Sequence, residues 1–182
     1  MWIGSRVLAL AVLFPVVSGA QLPRLQVGAG VHAQSVGGEE AGGFVAEMAV
    51  SLPVAPFLGF RAEVSWAYAP SQGEDPVFTL GGSGSASAGG LPHLVFVGGS
   101  LVVEQPTLNT GRWYGFGGAA IARGSGNRAW SATKPAFVPH LGIGLRPFSA
   151  QPRLTAELRY RYAPHWFNEP LRYIGVAIGW SF

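Results

Sequence analysis

The chain ends in IGVAIGWSF, residues 174–182, in which large apolar and small side chains alternate without interruption. Successive side chains of a β-strand point to opposite faces, so a strict period of two predicts a strand with two unlike faces. A bulky apolar face of this kind must lie against a protein core or against lipid. It consists of Ile174, Val176, Ile178, Trp180 and Phe182.

The same alternation divides the preceding chain into seven more segments of about ten residues, the length and dyad repeat of a membrane-spanning barrel strand. The clearest apolar rows begin at Leu25, Phe44 and Leu58. These segments predict an all-β fold, an eight-stranded antiparallel up-and-down transmembrane β-barrel. In the seventh segment, one row is Leu154, Ala156, Leu158, Tyr160 and Tyr162, and the other is Arg153, Thr155, Glu157, Arg159 and Arg161.

Three segments have less regular patterns. Residues 94–103 are partly apolar on both faces, so their register stays open. In the sixth segment, Leu141 and Ile143 are expected outward, opposite His140 and Arg146. In the fifth segment, residues 113–122, we expect an outward row of Tyr114, Phe116, Ala120 and Ala122, with Gly115 and Gly117 inward.

Two kinds of link join the segments, and they alternate along the chain. Short links that contain proline alternate with longer, more polar ones, and short turns on one rim with longer loops on the other are typical of outer-membrane barrels. Eight strands with both termini on the periplasmic side need three inner turns and four outer loops. The short links are 52–56, 104–110 and 147–152, and the longer links are 35–43, 69–90, 123–134 and 163–170.

Composition and the amino-terminal residues agree with an exported membrane protein. Arg6, the apolar run 7–17 and the small residues 18–20 predict a secretory signal peptide over 1–20, which leaves a single barrel domain over 21–182. Hydrophobic residues make up 48% and charged residues only 12% of the chain, about half the usual charged share of a soluble protein. The net charge of +3 is scattered, so no nucleic-acid partner is expected.

Charged side chains on the predicted inward rows form the main candidate site. They have two interpretations: internal ion pairs that fill the lumen, or the lining of a narrow small-solute channel. Both need opposite charges facing each other inside the barrel. The predicted lumen charge network consists of Glu47, Arg61, Glu63, Arg153, Glu157, Arg159 and Arg161.

Histidines and aromatic residues suggest no cofactor or metal. His32 and His140 are expected inward, His93 at a strand boundary and His165 in the last loop, with no metal-ligand spacing among them. The chain contains no cysteine. Aromatic residues near the strand ends predict interfacial girdles: Trp66, Tyr68, Trp113, Tyr160, Tyr162 and Trp180.

With its signal peptide, strand dyads and aromatic last strand, the chain resembles the small eight-stranded outer-membrane barrels of the OmpA/OmpX type. The resemblance implies a non-enzymatic monomer in the bacterial outer membrane, in contact with lipid and acting in envelope integrity or through outer loops that bind an extracellular ligand. It also implies insertion by the barrel assembly machinery, which would recognise Trp180 and Phe182 within the row from Ile174.

Two further interpretations stay open. The stretch 157–165 resembles the penultimate strand of lipid A deacylase barrels, although Tyr162-Ala163-Pro164 stands where that family has its His-x-Ser pair, and His165 and Glu169 have no serine nearby. A soluble lipocalin-like barrel would turn the apolar rows inward around a ligand. Its solvent surface would then carry Lys134 as its single lysine.

Overall fold

The computed structural model is a closed antiparallel barrel in which each strand pairs with its neighbours in chain order. This confirms the predicted fold class. The described residues contain no helix long and apolar enough to cross a bilayer. The structure describes residues 22–69, 93–105, 112–125, 135–146, 153–166 and 169–182. The strands are β1 (Arg24–Val36), β2 (Glu39–Ala55), β3 (Leu58–Tyr68), β4 (His93–Gln105), β5 (Arg112–Ser125), β6 (Ala136–Arg146), β7 (Leu154–Trp166) and β8 (Glu169–Ser181).

The seam between the first and last strands closes the barrel. Gly30 of β1 pairs with Val45 of β2 on one side and with Ala177 of β8 on the other. Because every strand has two partners, no strand edge is left for the bilayer, where unpaired backbone groups would be costly. We call the end that carries Arg24 and Ser181 the terminal rim, and the opposite end the distal rim.

The outer wall carries the apolar rows. The alternate residues of β8 from Ile174 to Trp180 are exposed, whereas the small residues between them are buried in the lumen. The outward rows of β1, β2, β3, β6 and β7 agree with the sequence prediction, and β4 exposes Val97, Leu101 and Val103. An apolar exterior around a charged interior is the reverse of a lipocalin, so the soluble alternative is wrong.

The predicted orientation of β5 is wrong. Tyr114 and Phe116 are buried in the lumen, and Trp113 and Ile121 are exposed on the wall instead. The physical reason lies on β6, where Gly144 pairs with Tyr114 and Gly142 pairs with Phe116. A side chain at either glycine would collide with the facing aromatic ring, so the glycines make room for the two rings inside the barrel. Ala120 and Ala122, also predicted outward, are buried with them.

Two of the predicted outer loops are shorter than expected. Residues 35–43 belong to β1 and β2 except for a turn at Gly37 and Gly38, whose φ angles of 62° and 92° are those that tight hairpins need. In 163–170, β7 runs to Trp166 and β8 begins at Glu169. The other two outer links fall largely, and the predicted signal peptide over 1–20 entirely, outside the described residues.

Gly30 allows the close approach of β1 and β8 at the seam. A Cβ atom at Gly30 would overlap the carbonyl oxygen of Val176 and the Cα atom of Ala177, both backbone atoms that cannot move aside cheaply. We expect Gly30→Ala to lower the free energy of unfolding by about 1–3 kcal/mol, since it overpacks the seam. Urea unfolding in lipid vesicles, followed by heat-modifiable gel mobility, measures this change.

Gly115→Ala is the matched control. A Cβ atom at Gly115 meets nothing within 4 Å, so this substitution should leave stability unchanged or slightly raised. Equal losses in the two variants would contradict a sterically tight seam.

Candidate functional site

A cluster of six charged side chains fills the middle of the lumen and its terminal half. Three carboxylates face three guanidinium groups there, so the formal charges cancel. Their side chains are at most 9% exposed. Three strands supply them, because the inward rows of β2, β3 and β7 all point at the barrel axis. The charge cluster consists of Glu47, Arg61, Glu63, Glu157, Arg159 and Arg161.

Glu157 accepts the most hydrogen bonds in the charge cluster. Its Oε1 atom accepts from Arg61 Nη1 at 2.6 Å, from Tyr114 Oη at 2.7 Å and from Gln26 Nε2 at 2.9 Å. Its Oε2 atom accepts from Arg159 Nη2 at 2.9 Å. Four donors from β1, β3, β5 and β7 therefore converge on one buried carboxylate and tie distant parts of the barrel together.

Arg159 connects all three carboxylates. Its Nη1 atom lies 3.1 Å from Glu47 Oε1 and 3.1 Å from Glu63 Oε1, in addition to the bond from Nη2 to Glu157. Glu63 also faces Arg161 Nη2 at 3.3 Å and Arg61 Nε at 3.4 Å. Buried charges need this kind of mutual pairing, because each loses several kcal/mol of hydration when it leaves water.

Aromatic rings cover the guanidinium groups where no carboxylate does. The guanidinium carbons of Arg61 and Arg159 lie 5.3 and 5.0 Å from the ring centre of Phe116. That of Arg161 lies 4.0 Å from the ring of Phe96 and 5.1 Å from that of Tyr173. The inward aromatic residues thus supplement the ion pairs with cation–π contacts.

Most side chains in the distal half of the lumen are apolar, and the buried polar residues His32 and Gln34 lie beside them, next to Tyr173. Side chains from β1, β3, β4, β5, β6, β7 and β8 pack there into one buried cluster, whose members are at most 5% exposed. Trp166 and Leu171 lie nearest the distal rim, and Phe96 and Tyr173 join the cluster to Arg161. This apolar plug consists of Val36, Ala67, Leu94, Phe96, Ala120, Ala122, Val138, Ala163, Trp166, Leu171 and Tyr173.

The structure brings together six of the seven residues of the predicted network. Arg153 is separate, because it lies in the turn before β7 with its side chain exposed at the terminal rim. A different pair stands at that rim: Arg146 Nη1 contacts Glu104 Oε1 at 2.6 Å, and its guanidinium lies over Tyr114. A small pocket between these residues and Arg24 opens toward the terminal rim.

Sequence reasoning missed the neutral and aromatic members of the site. Tyr114 and Gln26 donate to Glu157, and Phe116 lies beneath two arginines. A usable signal existed for the aromatic pair. Gly142 and Gly144 have the same two-residue spacing on the next inward row, which is the spacing needed to receive two rings from a neighbouring strand.

The four histidines have no arrangement suited to metal binding or hydrolysis. His140 Nε2 lies 2.7 Å from Ser100 Oγ, but both residues are buried and the nearest carboxylate, Glu63, faces the same ring nitrogen at 3.7 Å. In a hydrolytic triad the acid holds the other nitrogen. His32 stacks on Tyr173, and no group of three or more potential ligands occurs among the described residues.

The remaining two histidines lie near the distal rim. His93 stacks on Tyr68 on the outer wall, with ring centres 4.6 Å apart. His165 is exposed at the end of β7, and Glu169 is exposed at the start of β8.

No family model and no curated protein sequence matches the chain. Solved structures do. Neisserial surface protein A (NspA) superimposes with a TM-score of 0.68 at 16% identity, over 90% of this chain and 99% of that one. Ail, the attachment invasion locus protein of Yersinia pestis, superimposes with a TM-score of 0.52 at 12% identity, over 89% of this chain and 100% of that one. The structure of Ail in complex with the heparin analogue sucrose octasulfate superimposes with a TM-score of 0.54 at 10% identity, over 89% of this chain and 100% of that one.

These likenesses concern the fold. The chain has the architecture of the small OmpA/OmpX-like outer-membrane barrels, as the sequence predicted. Its closed sheet, apolar wall and buried charges define the architecture of an integral membrane β-barrel.

Glu157→Gln tests the charge cluster. The amide keeps the shape of the side chain but leaves three guanidinium groups facing two carboxylates. We expect the free energy of unfolding to fall by about 3–5 kcal/mol, the usual effect of removing one partner of a buried ion pair. Urea unfolding of the refolded barrel measures it.

Glu104→Gln is the control, because Glu104 also pairs with one arginine but its side chain is 28% exposed. This substitution should lower the free energy of unfolding by about 1 kcal/mol or less. Equal effects from the two substitutions would mean that the charge cluster contributes no special stability.

Proposed function

We propose that this chain is a non-enzymatic, non-conducting barrel that acts in envelope integrity or in surface interaction through its distal rim. The observation that carries the proposal is the apolar plug. Water and ions need a continuous polar path, whereas buried apolar side chains fill most of the distal half of the lumen. A lumen of eight strands is just wide enough for side chains to fill it.

The charge balance of the lumen also favours a structural role over transport. Selective pores carry a ring of one charge sign that attracts the permeant ion. Here each guanidinium faces a carboxylate at 2.6–3.4 Å, so positive and negative charges are balanced within the cluster. A narrow channel would need these pairs to separate and the apolar plug to open.

Catalysis has little support from the described residues. The contact between Ser100 and His140 is enclosed in the lumen, without access for a lipid substrate. His165 is accessible, but no residue of the described chain activates a nucleophile beside it.

Surface interaction is supported by the fold and by the neighbours. Structures of this architecture include a surface protein, NspA, and an attachment protein, Ail, that binds a polysulfated heparin analogue. The complex of Ail with sucrose octasulfate shows that a barrel of this architecture can bind a ligand. For this chain, we propose that the distal links carry such an interaction, with the barrel as a monomeric anchor.

Planar-bilayer recording tests the non-conducting lumen. The refolded protein, verified by heat-modifiable mobility, should give no stepwise current. Phe96→Ala combined with Trp166→Ala removes two large rings from the apolar plug and should hydrate the distal half, so discrete openings should appear.

The matched control combines Phe60→Ala and Trp66→Ala, which removes the same two ring types from the outer wall, where both are exposed. It should stay silent. Stepwise current in the unmodified protein that changes with Glu157→Gln would overturn the proposal in favour of a channel.

We further propose that the barrel assembly machinery recognises the outward row of β8, from Ile174 to Phe182. Phe182 is exposed, and its backbone N–H donates to the carbonyl of Leu25 across the seam at 2.8 Å. Phe182→Ala should reduce the amount of heat-modifiable barrel in cell membranes several-fold while secretion continues. Phe57→Ala, which removes another exposed ring at the terminal rim, should not. Equal yields from the two variants would refute recognition of this row.

A further inference from the structure

Among the described residues, charged side chains on the outer wall are confined to the distal rim. On the outward rows of the described strands, every position from the terminal rim to the middle of the wall is uncharged. A guanidinium on a lipid-facing surface extends toward the headgroups, because the hydrocarbon cannot solvate it. Within the part of the chain that the structure describes, the acidic, basic and histidine side chains on the outward rows are Glu40, His93, Arg123 and Arg172.

Arg172 stands between two hydroxyl groups. In the sheet register it lies opposite Tyr162 of β7 and opposite Ser35 of β1, and all three residues belong to outward rows. Side chains directly opposite each other have Cβ atoms about 4.5–5.5 Å apart. One arginine and two hydroxyl-bearing side chains therefore occupy neighbouring positions on three adjacent strands.

Arg172 lies at the depth expected for the lipid headgroups. Ten residues separate it from Phe182 at the terminal rim. At about 3.3 Å per residue and a tilt of about 40°, they span about 25 Å, the height of the apolar band of an outer-membrane barrel. Arg123 and Trp113 on β5 are also ten residues apart, so the uncharged stretch below the arginine has the same length on both strands.

We propose that Ser35, Arg172 and Tyr162 form a binding site for the phosphate group of a lipid in the leaflet that surrounds the distal rim. A guanidinium offers two parallel N–H donors to phosphate oxygens, and the hydroxyl groups supply two more donors at the sides. The acyl chains of the same lipid would lie along the apolar row of β8 below, beginning at Ile174.

One acidic neighbour limits the site. Glu40 of β2 lies opposite Ser35, two strands from Arg172. It makes no ion pair with Arg172 among the described residues, and its charge disfavours a second phosphate on that side. The site therefore suits one phosphate group, approached from the side of β7.

This proposal rests on the membrane assignment, so folding is tested separately from lipid binding. Heat-modifiable mobility after refolding in pure phosphatidylcholine vesicles reports folding alone. Native mass spectrometry then compares the retention of phosphatidic acid, which carries a phosphate monoester, with that of phosphatidylcholine. The variants are Arg172→Gln, the control Arg153→Gln with the same charge change in an exposed turn, and a Ser35→Ala/Tyr162→Phe double variant.

We expect the unmodified barrel to retain phosphatidic acid preferentially. Arg172→Gln should reduce that retention on the order of tenfold, the size of one charge-assisted hydrogen-bond pair, and the double variant by about threefold without any change of charge. Arg153→Gln should have no effect.

Equal losses with Arg172→Gln and Arg153→Gln would overturn the site, because they would indicate attraction by net charge alone. Displacement of the lipid by millimolar inorganic phosphate would overturn the lipid assignment in favour of a free phosphate ligand. If all variants fold in phosphatidylcholine but none differs in retention, the lipid site is wrong and the membrane assignment stands.

Discussion

The absence of water in the bilayer core is the constraint on which this structure depends. Backbone N–H and C=O groups in hydrocarbon must pair with one another, and a sheet can do so completely only by closing on itself. The seam between β1 and β8 closes a sheet of eight strands, and this strand number gives a lumen just wide enough for side chains to fill. Every inward side chain must then fit into that narrow space, so packing in the lumen follows from closure.

The lumen meets this demand with two kinds of filling. Toward the terminal rim, charges of opposite sign are balanced and are bound to one another and to aromatic rings. Toward the distal rim, apolar side chains pack as they would in a soluble core. Arg161 lies at the boundary, with Glu63 on one side and the rings of Phe96 and Tyr173 on the other. A lumen filled in this way leaves the two rims and the outer wall as the accessible surfaces of the barrel.

The side chains on the outer wall change in type from the terminal rim to the distal rim. Apolar rows occupy the depth of the hydrocarbon, aromatic residues such as Trp113 and Trp180 lie toward the terminal rim, and Arg123 and Arg172 lie at the distal rim. This pattern orients the barrel relative to the two leaflets and gives the distal leaflet a cationic contact. The outer wall is therefore hydrophobic, and it also presents different side-chain types at different depths of the bilayer.

The strands and their faces could be read from the sequence wherever large and small or apolar and charged residues alternate, as in β1, β3, β7 and β8. The prediction was wrong in β5, because aromatic side chains occur both on the lipid-facing wall and inside the lumen. Local pattern cannot distinguish these two places. The deciding fact was the pairing of Tyr114 and Phe116 with Gly144 and Gly142 across two strands.

By itself, the sequence determined the barrel, its strand number, most of its apolar wall and six of the charged residues that face inward. Periodicity is a local property, and it suffices for these features. Tertiary structure decided which charges meet, that Glu157 gathers four donors, that Arg153 stays outside and that the distal lumen is closed by an apolar plug. Those outcomes depend on the register and shear of eight strands, which bring residues about a hundred positions apart into contact, as with Arg61 and Glu157.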